Sequence, residues 1–452
     1  MKKKRSSFGG SIGFVLAAAG SAVGLGNIWR FPYLAAKYGG GAFLLVYIVL
    51  ALTFGYAMIM SETVIGRMTG KSPVGAFAAF GRGRLLRAGG WINAVIPMLI
   101  VPYYSVIGGW VCRYLWGYLS GQGETMALEG AFEGFLGSPA ATVVCFLIFA
   151  AMTMAVIFGG VRNGIEKVSR IMMPMLAVLT LVVVGFSVTR PGALAGVRYF
   201  LVPDLRNFSL MTVVSALGQM FYSLSIAMGI LITFGSYTDR SVDVEATTAQ
   251  VEIFDTAIAV LAGLMVIPAV FAFSGGDAAA LGKGPSLMFV TLPKVFESMG
   301  GAWTGVLFFL LVLMAALTSS VSLAETACAT FEDELNWSRP KAAALVSVIL
   351  AALGCLSCLG FNALSHIAPM GMDILSFFDF LTNSVMMPVA AVAIIALVLR
   401  QIGLENMERE ILRSSAFRRR GVYRFVVKYL ALAMLAVILI SSVCDAFGWI
   451  HI

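Results

Sequence analysis

The sequence predicts an all-α membrane protein of eleven transmembrane helices: two inverted five-helix repeats with breaks in helices 1 and 6, plus one added helix. Three observations predict it. Of 452 residues, 60% are apolar and 12% charged, and the mean hydropathy is +0.92. No single soluble core encloses that much apolar surface, so the bilayer must be the solvent. Eleven apolar stretches are long enough to cross it, and two of them, five helices apart, are interrupted midway by small and polar residues.

A helix needs about 20 apolar residues to span the hydrocarbon core. Such stretches lie near 11–36, 41–66, 90–119, 140–159, 166–188, 210–236, 246–273, 302–330, 341–359, 374–399 and 424–446. The first follows Lys2, Lys3, Lys4 and Arg5, but it is too long for a signal-peptide core and has no small-residue cleavage site, so it is expected to be retained. The organisation expected is a cytoplasmic segment 1–10, a first repeat 11–190, a second repeat 191–400, and a basic loop with the last helix over 401–452.

Lysine and arginine set the orientation. The connection 67–89 carries Arg67, Lys71, Arg82, Arg84 and Arg87, 160–170 carries Arg162, Lys167 and Arg170, and 400–424 is strongly basic. These belong in the cytoplasm with the N-terminus. The connection 120–139 holds Glu124, Glu129 and Glu133 and no base, as an outer loop should, whereas 189–208, with three arginines, fits less well. An odd number of spans places the C-terminus outside, in the cell inner (plasma) membrane. The net charge of +8 needs no explanation beyond this asymmetry, and nucleic acid is not an expected partner. Nor is an obligate protein partner.

The interruptions are Gly20-Ser-Ala-Val-Gly-Leu-Gly-Asn27 in the first stretch and Ser223-Leu-Ser-Ile-Ala-Met-Gly229 in the sixth. An unwound turn exposes backbone groups that lipid cannot satisfy, so it must line a site. Matched breaks of this kind point to a transporter with its site at the bilayer midplane. Amides at Leu25 and Gly26, opening a half-helix, suit a carboxylate, while freed carbonyls suit a cation or an ammonium. A zwitterionic amino acid matches both. Close helix packing accounts for Gly39-Gly-Gly41 but not for Asn27 and Arg30 beside the break.

Gly24-Leu-Gly-Asn-Ile-Trp-Arg-Phe-Pro32, followed by Gly39-Gly-Gly-Ala-Phe43, resembles the first-helix signature of the neurotransmitter:sodium symporter family, in its bacterial, leucine-transporter-like amino acid branch. Gly218-Gln-Met-Phe-Tyr-Ser-Leu-Ser225, Ala316-Leu-Thr-Ser-Ser320, Phe331-Glu-Asp-Glu-Leu335 and Phe378-Asp-Phe-Leu-Thr382 extend the resemblance over nearly the whole chain. It implies a sodium-coupled symporter that imports a neutral, hydrophobic or aromatic L-amino acid by alternating access. A channel or a non-transporting sensor on the same fold is the alternative.

The resemblance implies two sodium ions. One site would use Ala22, Asn27, Ser223 and Asp255, completed by the substrate carboxylate; the other would use Gly20, Val23, Ala315, Thr318 and Ser319. The substrate pocket would be lined by Ala22, Gly24, Leu25, Gly26, Ile100, Tyr104, Tyr222, Ser223, Ser225, Met228, Ser319 and Leu323, with Tyr104 bonding the carboxylate. Monoamine-transporting relatives carry Asp at the position of Gly24, so this substrate should bring its own carboxylate. Arg30 and Asp379 would close an outer gate above Tyr104 and Tyr222, and Arg5, Tyr237 and Asp333 an inner one. Gly164 and Pro174 resemble the pair that lets helix 5 unwind.

The sequence departs from the family pattern at Tyr222, Met228 and Ala259. Chloride-dependent relatives hold the anion with residues matching Tyr47, Gln219 and Ser223 and a Ser at the position of Ala259. That hydroxyl is missing, and Asp255 can supply the negative charge instead, so chloride is not expected to be required. No enzyme is expected: there is no H-E-x-x-H, and two histidines with scattered acids give no metal or base cluster. Cys355 and Cys358 form a C-x-x-C in an apolar helix without a second pair, which reads as helix packing.

Overall fold

A computed structural model describes residues 7–81, 83–277, 285–298 and 301–449. Arg5 and Arg82 therefore lie outside the described residues. The spans are α1, broken into α1a (Ser11–Ala22) and α1b (Gly26–Lys37) with a 53° bend, α2 (Gly41–Thr69), α3 (Arg84–Leu119), α4 (Pro139–Phe158) and α5 (Val161–Val188). They continue with α6, broken into α6a (Leu210–Ser223) and α6b (Ile230–Ser236), then α7 (Val244–Ser274), α8 (Ala302–Leu335), α9 (Arg339–Leu359), α10 (Ile374–Ile402) and α11 (Arg420–Asp445). The breaks fall in the two spans where the sequence places them.

The bundle has an inner and an outer layer. The most apolar stretch of α3 is 78% buried and that of α8 72%, against 33% for α5 and 28% for α11, so the last two present most of their surface to lipid. Within the inner layer small residues let backbones touch, since between apolar helices in lipid it is packing that holds. A Cβ added at Gly66 of α2 would lie 1.9 Å from the carbonyl oxygen of Ile232, and one at Gly235 2.3 Å from that of Thr63, so α2 and α6b meet backbone to backbone. Gly39-Gly-Gly41 does likewise against the connection between α5 and α6, where Gly40 bridges Pro203.

The connections hold more helix than apolar length alone suggests. The basic stretch 67–89 contains a short helix, Pro73–Ala78, and the first turn of α3; the stretch 400–424 contains Leu404–Leu412, which buries Met407 and Ile411 and exposes Arg409. Arginine pairs brace it. Arg420 and Arg424 both bond the Glu408 carboxylate, and although burial pushes that carboxyl up, the two guanidinium groups outweigh burial and hold it below the ordinary carboxylate range.

Candidate functional site

The two breaks face each other at the centre of the bundle. Between Ser223 and Ile230 the chain leaves the helix with Ser225 and Ala227 at φ 53° and 60° and Gly229 at 69°. Left-handed backbone at a non-glycine costs about 1–2 kcal/mol, so something must hold it. The Ser225 hydroxyl donates to the Ser21 carbonyl at 3.0 Å, and the Ala227 amide donates to the buried Glu62 carboxylate at 2.7 Å. The unwound turn of α6 is thus tied to α1 on one side and to α2 on the other.

A narrow cavity of about 30 Å3 lies between them. All twelve residues expected in a substrate pocket line it, together with Asn27 and two that sequence reasoning missed, Ser21 and Ile230. Ser21 lies inside the glycine-rich interruption and Ile230 directly after Gly229, so their neighbours carried the signal. No lining side chain is charged. The polar wall consists of the ends of α1b and α6a with Tyr104 and Ser319; Ile100, Met228, Ile230 and Leu323 form the apolar wall. The Tyr104 hydroxyl accepts from the Leu25 amide at 3.2 Å, so one of the two amides expected to be free is bonded. Gly24 leaves room that nothing else could: a Cβ there would sit 2.8 Å from Ser319 Oγ and 2.9 Å from the Tyr104 hydroxyl.

Two clusters of oxygen atoms flank the cavity. In the first, the fully buried Asp255 carboxylate accepts from Asn27 Nδ2 at 2.8 Å, from Tyr47 at 3.2 Å, and from Ser223, whose hydroxyl lies 3.1 Å from both oxygens. Asn27 Oδ1 meanwhile accepts from the Gly24 amide at 3.2 Å, and Gln219 donates to the Gly26 carbonyl at 3.0 Å. Ala259 is buried one turn along α7 from Asp255 and brings no hydroxyl. In the second, Ser319 Oγ lies 3.3 Å from the carbonyl oxygens of Gly20 and Val23, and Thr318 Oγ1 is 3.1 Å from the Ala315 carbonyl. All five expected contributors meet at this point, where α1a breaks against α8. Hard oxygen donors without sulfur or imidazole suit an alkali cation.

The sequence matches the description Sodium:neurotransmitter symporter family over residues 5–123 and 122–448. The chain belongs to that family. It is therefore a sodium-dependent, multi-pass membrane transporter. It is 32% identical to the sodium-dependent transporter YhdH of Bacillus subtilis, with 97% of each chain covered. It is 30% identical to the sodium-dependent transporter MJ1319 of Methanocaldococcus jannaschii, covering 97% of this chain and 90% of that one. The crystal structure of MhsT in complex with L-phenylalanine superimposes with a TM-score of 0.86 at 34% identity, covering 97% of this chain and all of that one.

In this symporter the described residues expected to gate form two groups, Arg30 with Asp379 and Tyr237 with Asp333. Arg30 and Asp379 form no direct ion pair: the Arg30 guanidinium lies 5.3 Å from the centre of the Tyr222 ring, and Asp379 accepts from Asn383 at 2.6 Å. Each is instead engaged locally, Arg30 over the Tyr222 ring and Asp379 with Asn383. At the other end Phe8 packs edge-on against Phe14, Phe234 and Tyr237. Asp333 accepts from the Ser72 amide at 2.7 Å, and Tyr237 donates at 2.7 Å to Glu325, itself paired with Arg339. Sequence reasoning missed Glu325 and Arg339, which sit on α8 and α9 and meet only once the two helices fold back on each other. Helix α5 is continuous through Pro174, and Gly164 is needed there, since a Cβ would come within 2.1 Å of the Val156 carbonyl.

Proposed function

We propose that the chain is a sodium-coupled symporter that imports a neutral, apolar or aromatic L-amino acid by alternating access. One observation carries this reading: a cavity with no charged side chain, polar where the two helices break and apolar elsewhere, with Gly24 at the point where a side-chain carboxylate would compete. The free Gly26 end of α1b suits a substrate carboxylate and the α6 break suits an ammonium. Met228 adapts to varied side chains, while burying a charged one among Ile100, Ile230 and Leu323 is costly. The L-phenylalanine bound by MhsT supports the same class.

In this reading two sodium ions bind. One sits among Ala22, Asn27, Ser223 and Asp255 and shares the substrate carboxylate, which couples ion to solute; the other sits among Gly20, Val23, Ala315, Thr318 and Ser319. Asp255 is the fixed counter-charge, so chloride is not required. The protein lies in the inner (plasma) membrane with its N-terminus in the cytoplasm, its repeats at 11–190 and 191–400, and its C-terminus outside. Arg30 and Asp379 close over Tyr222 once substrate is bound, and Tyr237 and Asp333, with Arg5, keep the cytoplasmic end shut. A thermal-shift screen of the proteinogenic amino acids and common amines, with and without sodium, tests the substrate class, because a ligand that binds only the folded state raises its melting point. Sodium-dependent stabilisation by leucine, tyrosine, tryptophan or phenylalanine is expected; stabilisation by glutamate or lysine alone would reject it.

A further inference from the structure

Where the Leu404–Leu412 helix meets the ends of α2 and α10, a second cavity of about 290 Å3 opens. Arg240, Arg409 and Arg413 line it with one carboxylate, Glu410. That carboxylate is already matched, by Arg67 at 3.2 Å and Arg413 at 2.8 Å. The remaining Arg67 nitrogens bond the carbonyls of Val242 and Glu410 and the Ser414 hydroxyl, which fixes the cavity floor. Arg409 reaches only Glu405, at 3.9 Å, with both side chains largely exposed. Arg240, from the connection after α6b, makes no hydrogen bond or ion pair among the described residues. The connection after α6b and the Leu404–Leu412 helix with its C-cap thus bring three guanidinium groups to one space, and positive charge is left over.

The rest of the lining is bilayer-like. Met68, Phe80 and Ile402 give an apolar side and the Gln401 and Asn406 amides a neutral polar one. We propose that this cavity binds the phosphodiester headgroup of an anionic phospholipid, held by Arg240 and Arg409 with its acyl chains along the ends of α2 and α10. Guanidinium forks match phosphate oxygens bidentately, and basic pockets at helix ends are suited to such headgroups. A soluble phosphate shares that chemistry but gains nothing from the apolar side, which favours the lipid.

Native mass spectrometry of the full-length protein, released from detergent after incubation with equal phosphatidylglycerol and phosphatidylcholine, tests the proposal. The wild type should retain phosphatidylglycerol preferentially, and Arg240→Gln with Arg409→Gln should each weaken retention by roughly fivefold, the factor expected per basic residue. Arg418→Gln removes an exposed charge from the same loop without touching the cavity and should leave retention unchanged. Sodium binding, measured in parallel, shows that each variant is folded. Equal retention by wild type and both cavity variants, equal loss in Arg418→Gln, or displacement of the lipid by millimolar inorganic phosphate would overturn it.

Discussion

At the scale of single residues, the proposed function rests most heavily on Gly24 and Asp255. With Ser319 Oγ and the Tyr104 hydroxyl under 3 Å from any Cβ at position 24, Gly24→Asp fills the cavity and, on the proposed function, places a second carboxylate beside that of the amino acid. Overpacking alone costs about 1–3 kcal/mol, so L-phenylalanine binding should fall by roughly ten- to a hundredfold, as measured by tryptophan fluorescence or scintillation proximity. Asp255 collects three side-chain donors in a fully buried position. Hydrogen bonds to a charged group are worth about 1.5–3 kcal/mol each, and Asp255→Asn should weaken sodium binding by about tenfold or more, as read by sodium titration of the thermal shift. An unchanged sodium affinity would remove Asp255 from the ion site. Arg30→Ala or Asp379→Ala should instead spare sodium binding and cripple concentrative uptake, because a gate acts on closure and not on the ion sites.

At the scale of elements, α2 and α6b are clamped backbone to backbone while the turn between α6a and α6b is held by bonds to Ser21 and Glu62. Gly66→Ala puts a methyl into the Ile232 carbonyl, so a loss of about 1–3 kcal/mol is expected as a lowered melting temperature. On the Phe8 side of the cavity, Tyr237→Phe removes the 2.7 Å bond to the buried Glu325, and amide exchange should rise in residues 7–10 and at the end of α6b, with the exchange of α3 and α8 unchanged. The basic loop adds a pH dependence. Glu408 has its carboxyl held below the ordinary range by Arg424 and Arg420, so its contribution is complete above that range and is lost as pH falls through the lowered value. Glu408→Gln should therefore abolish part of the acid-side loss of stability seen by thermal shift.

Across the whole molecule, the architecture was legible because lipid imposes length and polarity rules that a linear sequence states openly: apolar runs give spans, and interruptions give breaks. The place of the pocket was legible for the same reason, since the breaks mark where backbone is freed, but its individual lining residues came from the resemblance to the symporter family and not from local pattern. Tertiary pairings were not. The contact of Arg30 with Tyr222 in place of Asp379, the bond from Leu25 to Tyr104, and the Tyr237–Glu325–Arg339 chain each join residues far apart in sequence, and no local pattern encodes which partner wins. Short amphipathic helices such as Leu404–Leu412 were missed because apolar length is the wrong test for an element only nine residues long with one buried face.

The claim that joins these scales is that an ion gradient drives a neutral amino acid through the cavity between the two breaks. Uptake of labelled L-phenylalanine into proteoliposomes under an inward sodium gradient, with chloride replaced by gluconate in half the samples, measures it directly. The account predicts sodium-dependent accumulation above equilibrium that survives the loss of chloride. Failure of any neutral amino acid to accumulate under the sodium gradient would contradict it, and accumulation that vanished in gluconate would contradict the role given to Asp255.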